Sequence, residues 1–97
     1  MDAHLEIFGP EATGRVPLDG DRLRIGRGRS NDIVLRSDLT VSRQHALLER
    51  LAAGWSVSDL SSANGTFVNG EPVVQPRPLY SGDEIDVGET RLVYREA

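Results

Sequence analysis

Three short polar segments hold the residues with chemistry to offer: Gly26-Arg27, then Thr40-Val41-Ser42-Arg43-Gln44-His45, then Asp59-Leu60-Ser61-Ser62-Ala63-Asn64-Gly65-Thr66. Arg27 carries a planar fork of N–H donors that matches the oxygens of a phosphate or carboxylate. Ser42 and Arg43 precede a strand-like run, where a hydroxyl and a backbone N–H can point the same way at an anion. The Asn64 amide has one acceptor and two donors, enough to hold both the C=O and the N–H of a peptide laid across its loop. Arg29 and Ser30 extend the polar loop after Arg27. Each feature alone has a plain structural reading: Gly-Arg is common on surfaces, and Asn-Gly is first of all a tight turn.

Other chemistries find less support. The Arg27-to-Asp32 loop lacks both the Gly-x-Gly-x-x-Gly spacing and a Gly-Lys-Ser/Thr ending, so it is not a nucleotide-binding loop. Ser42, His45 and Asp59 invite comparison with a catalytic triad, but no nucleophile elbow or oxyanion hole accompanies them. His45 reads instead as a buried hydrogen-bonding residue that ties one loop to another. Two histidines and no cysteine make a poor metal set, and no cofactor is expected.

The elements that must position these residues read as strands. Short runs that alternate or are rich in β-branched residues recur between turn signals, at 4–8, 14–18, 22–26, 33–35, 44–50, 55–59, 66–69, 72–74, 84–87 and 90–95. Asn69-Gly70, between Thr66-Phe67-Val68 and Glu71-Pro72-Val73-Val74, is a strong hairpin signal because both residues tolerate positive φ. The run from Gln44 to Ala53 has the propensity of a helix, with Gly54 placed to cap it. It lacks an N-cap box and lies between strand-like runs, although as a strand it shows no clean polar face; a strand is expected, with support from the family resemblance given below. About ten short strands in 97 residues imply an all-β antiparallel sandwich.

Length and composition bound the rest. Ninety-seven residues suit one domain with one core, and 38% hydrophobic residues with 5% aromatics require that core to be mainly aliphatic. The N-terminal Met1-Asp2-Ala3-His4-Leu5-Glu6 does not resemble a signal peptide, and no apolar run approaches the roughly 18 residues of a membrane helix. A soluble, cytoplasmic domain is expected, and so short a chain also suits a piece of a longer protein. The net charge of −4 argues against general nucleic-acid binding. Charge is uneven: residues 22–50 hold seven arginines against three acids, whereas both flanking regions are acidic. Every basic residue is arginine, which suits recognition of a compact anion, although codon bias in a GC-rich genome is the better account of the all-arginine usage taken alone.

In this order and spacing, Gly26-Arg27, Ser42-Arg43-Gln44-His45, Asp59 through Gly70, and Gly82-Asp83-Glu84-Ile85-Asp86-Val87-Gly88 resemble the forkhead-associated (FHA) domain. The resemblance runs from about residue 5 to 95. It implies an eleven-stranded sandwich with Greek-key connections, whose loops at one end bind phosphothreonine peptides made by Ser/Thr kinases. Arg27 and Ser42 would contact the phosphate, Arg43 would help through its backbone amide, and Asn64 would hold the peptide main chain. Gly26, His45 and Gly65 match architectural positions. Thr40 falls where relatives select the residue three places after the phosphothreonine. The position before Asn64 usually carries Thr or Ser, whose hydroxyl also reaches the phosphate, and here it is Ala63, with Ser62 adjacent. Losing one charge-assisted bond costs roughly 1.5–3 kcal/mol. That departure raises a second reading, a phospho-independent interaction or self-association module on the same fold. Nothing in the sequence demands a dimer, and a non-enzymatic monomer is expected.

Overall fold

A computed structural model describes residues 2–10 and 13–97, so Met1 and Glu11-Ala12, inside the expected 1–97 domain, lie outside the described residues. The chain forms two packed β-sheets and changes sheet repeatedly. β1 (Ala3–Phe8) and β2 (Thr13–Pro17) form a hairpin in the first sheet. β3 (Arg22–Gly26), β4 (Ile33–Val34), β5 (Ala46–Leu51) and β6 (Gly54–Asp59) build the second. β7 (Thr66–Val68) and β8 (Glu71–Pro72) return to the first, and β9 (Arg77–Pro78) joins the edge of the second. β10 (Glu84–Val87) and β11 (Thr90–Glu96) complete the first. The strand orders are β2-β1-β11-β10-β7-β8 and β4-β3-β5-β6-β9, with β3–β4 the parallel pair.

The period of two in the sequence sets which side chains meet between the sheets. In β10, Ile85 and Val87 are buried while Glu84 and Asp86 turn outward, and in β1 Ala3 and Leu5 are buried between more accessible neighbours. Leu5, Ile25, Leu48, Val57, Val68, Ile85, Leu92 and Tyr94 belong to one buried cluster, mainly aliphatic as the composition requires. Each such aliphatic side chain contributes roughly 1.5–3 kcal/mol on burial.

The ambiguous run from Gln44 becomes β5. Pairing with β3 on one side and β6 on the other places Ala46 and Leu48 in the core, and this tertiary burial outweighs local helix propensity. Gln44 and His45 stay outside the strand, which begins at Ala46 rather than 44. The ten strand-like runs omit β9, because Gln75-Pro76-Arg77-Pro78 reads as a breaker. Proline is tolerated there since β9 is an edge strand with β6 as its neighbour. The 72–74 run is shifted to Glu71–Pro72 by the Asn69-Gly70 turn, whose φ values of 51° and 84° fit a type I′ hairpin.

Pairing also decides where the polar segments go. Ile25 faces Ala46 and Ala46 faces Asp59, so the end of β3, the start of β5 and the end of β6 share one end of the sheet. The loops β3–β4, β4–β5 and β6–β7 therefore emerge together.

Candidate functional site

The β3–β4 and β4–β5 loops are joined through two consecutive carbonyls. Arg27 N–H donates to Ser42 O (2.9 Å) and Gly28 N–H to Arg43 O (3.1 Å). The buried Asn31 donates its Nδ2 hydrogens to Gly28 O (2.7 Å) and Arg43 O (2.6 Å), clamping the loop shut. Gly26 makes room for this: a Cβ there would overlap the Arg43 carbonyl oxygen and lie 2.8 Å from Asn31 Nδ2. Arg27 is half-buried and donates Nε–H to Val41 O (3.0 Å), which fixes the guanidinium plane and leaves its two outer nitrogens for a ligand.

A second set of bonds ties β4–β5 to β6–β7. His45, with 0% of its surface accessible, accepts Ser42 N–H at Nδ1 (3.0 Å) and donates Nε2–H to Gly65 O (2.8 Å). The fixed N–H on one side and the carbonyl on the other determine this tautomer. Ser42 Oγ accepts from Ala63 N–H (2.9 Å), so its own proton is left to donate outward. Asn64 donates one Nδ2 hydrogen to Thr40 O (2.8 Å), and its carbonyl oxygen and second N–H make no hydrogen bond among the described residues. Gly65, at φ 86°, makes the turn that brings these groups together.

The loop feet rest on two carboxylates. Asp38 accepts from Thr40 N–H (3.0 Å) and Oγ1, from Glu89 N–H (2.8 Å) and from Thr90 Oγ1 (2.8 Å), linking β4–β5 to the β10–β11 turn. Asp59 accepts from the Ser62 hydroxyl and N–H and from Thr66 Oγ1. Burial alone would raise both pKa values, but these hydrogen bonds outweigh it and hold them below the ordinary 3.8. A depressed carboxyl pKa stabilises the fold above the unfolded-state value and loses that contribution as pH falls through the folded-state value. Thermal melts from pH 7 to pH 2 are therefore expected to hold steady to about pH 4 and then fall. Asp38→Asn, unable to accept all four bonds, is expected to melt lower at pH 7 with a shallower acid decline. An acid decline as steep as that of the parent chain would remove Asp38 from this role.

Arg27, Ser42, Arg43 and Asn64 thus come together, with Gly26, His45 and Gly65 behind them. Arg29, Ser30 and Gln44 line one open cleft with Arg27, Gly28 and Arg43. Thr40 directs its hydroxyl to Asp38, and Ser62 engages Asp59 while accepting Gly65 N–H (2.9 Å), so both hydroxyls are occupied within the loops. Ala63 contributes its backbone N–H. Asn31 escapes sequence reasoning, since an Asn in Arg29-Ser30-Asn31-Asp32 reads as ordinary turn chemistry; its nearness to two glycines that need close approach is the one available signal. Arg22, Arg77, Arg91 and Arg95 pair with acids. Arg27, Arg29 and Arg43 have no acidic partner within 4.0 Å among the described residues.

Comparison with known proteins gives consistent matches. The chain is 44% identical over 88 residues to the oxoglutarate dehydrogenase inhibitor of Corynebacterium diphtheriae, covering 91% of this chain and 60% of that protein. It is 43% identical over 86 residues to the glycogen accumulation regulator GarA of Mycolicibacterium smegmatis, covering 89% of this chain and 53% of that protein. It therefore spans little more than half the length of these relatives. A structure solved for a structural and functional analysis of phosphothreonine-dependent FHA domain interactions superposes with a TM-score of 0.89 at 30% identity, covering 100% of this chain and 98% of that one. Mycobacterium tuberculosis EmbR in complex with a low-affinity phosphopeptide gives 0.87 at 31% identity, covering 97% of this chain and 24% of that one. The FHA domain family model matches residues 23–88, which include every loop of the site. With two thirds of its length inside that match and its two sheets superposing on solved members, this chain belongs to the forkhead-associated (FHA) domain family.

Proposed function

We propose that this chain is a single non-catalytic reader domain that binds phosphothreonine in a partner protein after a Ser/Thr kinase has modified it. The observation that carries the reading is the pairing of Arg27, held by Val41 with its outer nitrogens free, with Ser42, whose hydroxyl proton is left outward by Ala63 N–H. A phosphate brings about −1.5 to −2 charges and three acceptor oxygens, so these donors favour the modified peptide. Asn64, anchored on Thr40, supports the adjacent main chain. Threonine over serine would follow from burial of one methyl, roughly 0.8 kcal/mol. The names of the relatives, an inhibitor and a regulator, support a regulatory role; the reading taken with it is a cytoplasmic monomer, part of a longer protein, that acts on proteins rather than nucleic acid.

Calorimetry with matched phosphothreonine, phosphoserine and unmodified peptides tests the reading, with affinity expected in that order; equal affinity for all three would sink it. Arg27→Ala is expected to weaken phosphopeptide binding at least tenfold, about 1.4 kcal/mol. Because Arg27 makes one side-chain bond to the fold, its melt should move little, and unaltered binding would remove it from the site. Ala63 favours a second reading, phospho-independent association, since its methyl offers the phosphate nothing. Undiminished capture of a dephosphorylated partner would establish that reading instead.

A further inference from the structure

The arginines at the apical cleft carry more positive charge than one phosphate, at about −1.5 to −2, can neutralise. Three guanidiniums, Arg27, Arg29 and Arg43, border it with Ser30 and Gln44, and no carboxylate lines it. This gathers positive charge on a chain of net charge −4 in which four other arginines have acidic partners. The backbone adds to the excess: among the described residues, the N–H groups of Arg29, Ser30, Arg43 and Gln44 make no hydrogen bond within the chain, whereas those of Arg27, Gly28, Asn31 and Ser42 do. Successive free N–H groups on a turn form an anion-binding concavity. The two free pairs are held against each other, because Gly28 N–H and Asn31 Nδ2 both bond to Arg43 O.

A phosphoryl group held by Arg27, Ser42 Oγ and Arg43 N–H brings about −1.5 to −2 charges, which leaves the Arg29 guanidinium and the Ser30 side of the cleft without a neutralising anion. We infer that this flank takes a second anionic group of the same ligand, an acidic side chain or a second phosphate, beside the phosphothreonine. Asn64 and Thr40 do not line the cleft, so the second anion lies on the flank of the phosphothreonine away from the Asn64 main-chain contact. The inference rests on the phosphothreonine reading and adds a charge requirement to it.

The test uses fluorescence anisotropy with one peptide frame in several versions: unmodified, singly phosphorylated with neutral flanks, and singly phosphorylated with Glu or a second phosphothreonine on either flank. The added anion is expected to tighten binding about threefold to tenfold on one flank, with the gain shrinking as salt rises. In Arg29→Gln, which removes the charge of an exposed side chain, that gain is expected to fall below about twofold, a coupling that a general loosening of the loop would not produce. A larger gain from phosphate than from Glu identifies a second phosphate as the group read, and an equal gain identifies a carboxylate. Equal affinity for neutral and anionic phosphopeptides, or a gain that survives Arg29→Gln, overturns the inference while phosphothreonine reading stands. No phosphopeptide binding above the unmodified frame overturns both.

Discussion

Gly26→Ala is expected to lower the melting temperature by roughly 10–20 °C, the equivalent of about 3 kcal/mol in a domain of this size. The backbone dihedrals of Gly26 do not require glycine; the space does. A methyl would overlap the Arg43 carbonyl oxygen and approach both the Arg43 carbonyl carbon and Asn31 Nδ2 at 2.8 Å. Two of these atoms belong to the backbone, so no side-chain rotation relieves the conflict, and the β3–β4 and β4–β5 loops must part. The bonds from Arg27 N–H to Ser42 O and from Gly28 N–H to Arg43 O lengthen with them. Phosphopeptide affinity in the folded fraction should then drop at least tenfold, because Arg27 and Ser42 lose their relative placement. Gly14→Ala is the matched control: nothing lies within 4 Å of a Cβ there, and its melt should stay within a few degrees. Equal melts for the two variants would refute the packing argument.

His45→Ala should be comparably severe, at about 3–4 kcal/mol. It removes a ring with no accessible surface and orphans two backbone groups at once, Ser42 N–H and Gly65 C=O. His45→Gln, whose side-chain amide can still donate toward Gly65, is expected to recover part of the stability, since Ser42 N–H alone is then left unpaired. Chemical denaturation of both variants measures the order, and a Gln variant no more stable than Ala would mean that cavity rather than hydrogen bonding dominates. At matched folded fraction binding should be weaker than in the parent chain, because Ser42, whose Oγ accepts Ala63 N–H, is itself held in place by His45.

How far these residues announce themselves in the sequence follows from how local their physics is. Asn69-Gly70 is legible because positive φ at two consecutive residues is a demand made within the turn itself. The alternation in β10 is legible because its two faces differ in solvent along the whole strand. The run from Gln44 is not decided locally: its helix propensity is overruled by two neighbouring strands that no short window contains. β9 is hidden for the opposite reason, since an edge partner for two residues leaves almost no pattern to read. Among site residues, Arg27, Ser42 and Asn64 stand out by type and spacing. The occupied hydroxyls of Thr40 and Ser62 do not, because each is claimed by a carboxylate two or three residues earlier in the chain. Asn31 is the extreme case, a clamp whose partners, Gly28 O and Arg43 O, are backbone atoms without any sequence signature.

The clamped loops also bear on kinetics. Arg27, Ser42 and Arg43 are held in mutual register by hydrogen bonds internal to the chain, so the encounter requires little ordering of the protein. Association should then be fast and similar for good and poor peptides, governed by diffusion and the local arginine field. Selectivity would be expressed in residence time, as the rate at which each peptide leaves a cradle that does not change shape to receive it.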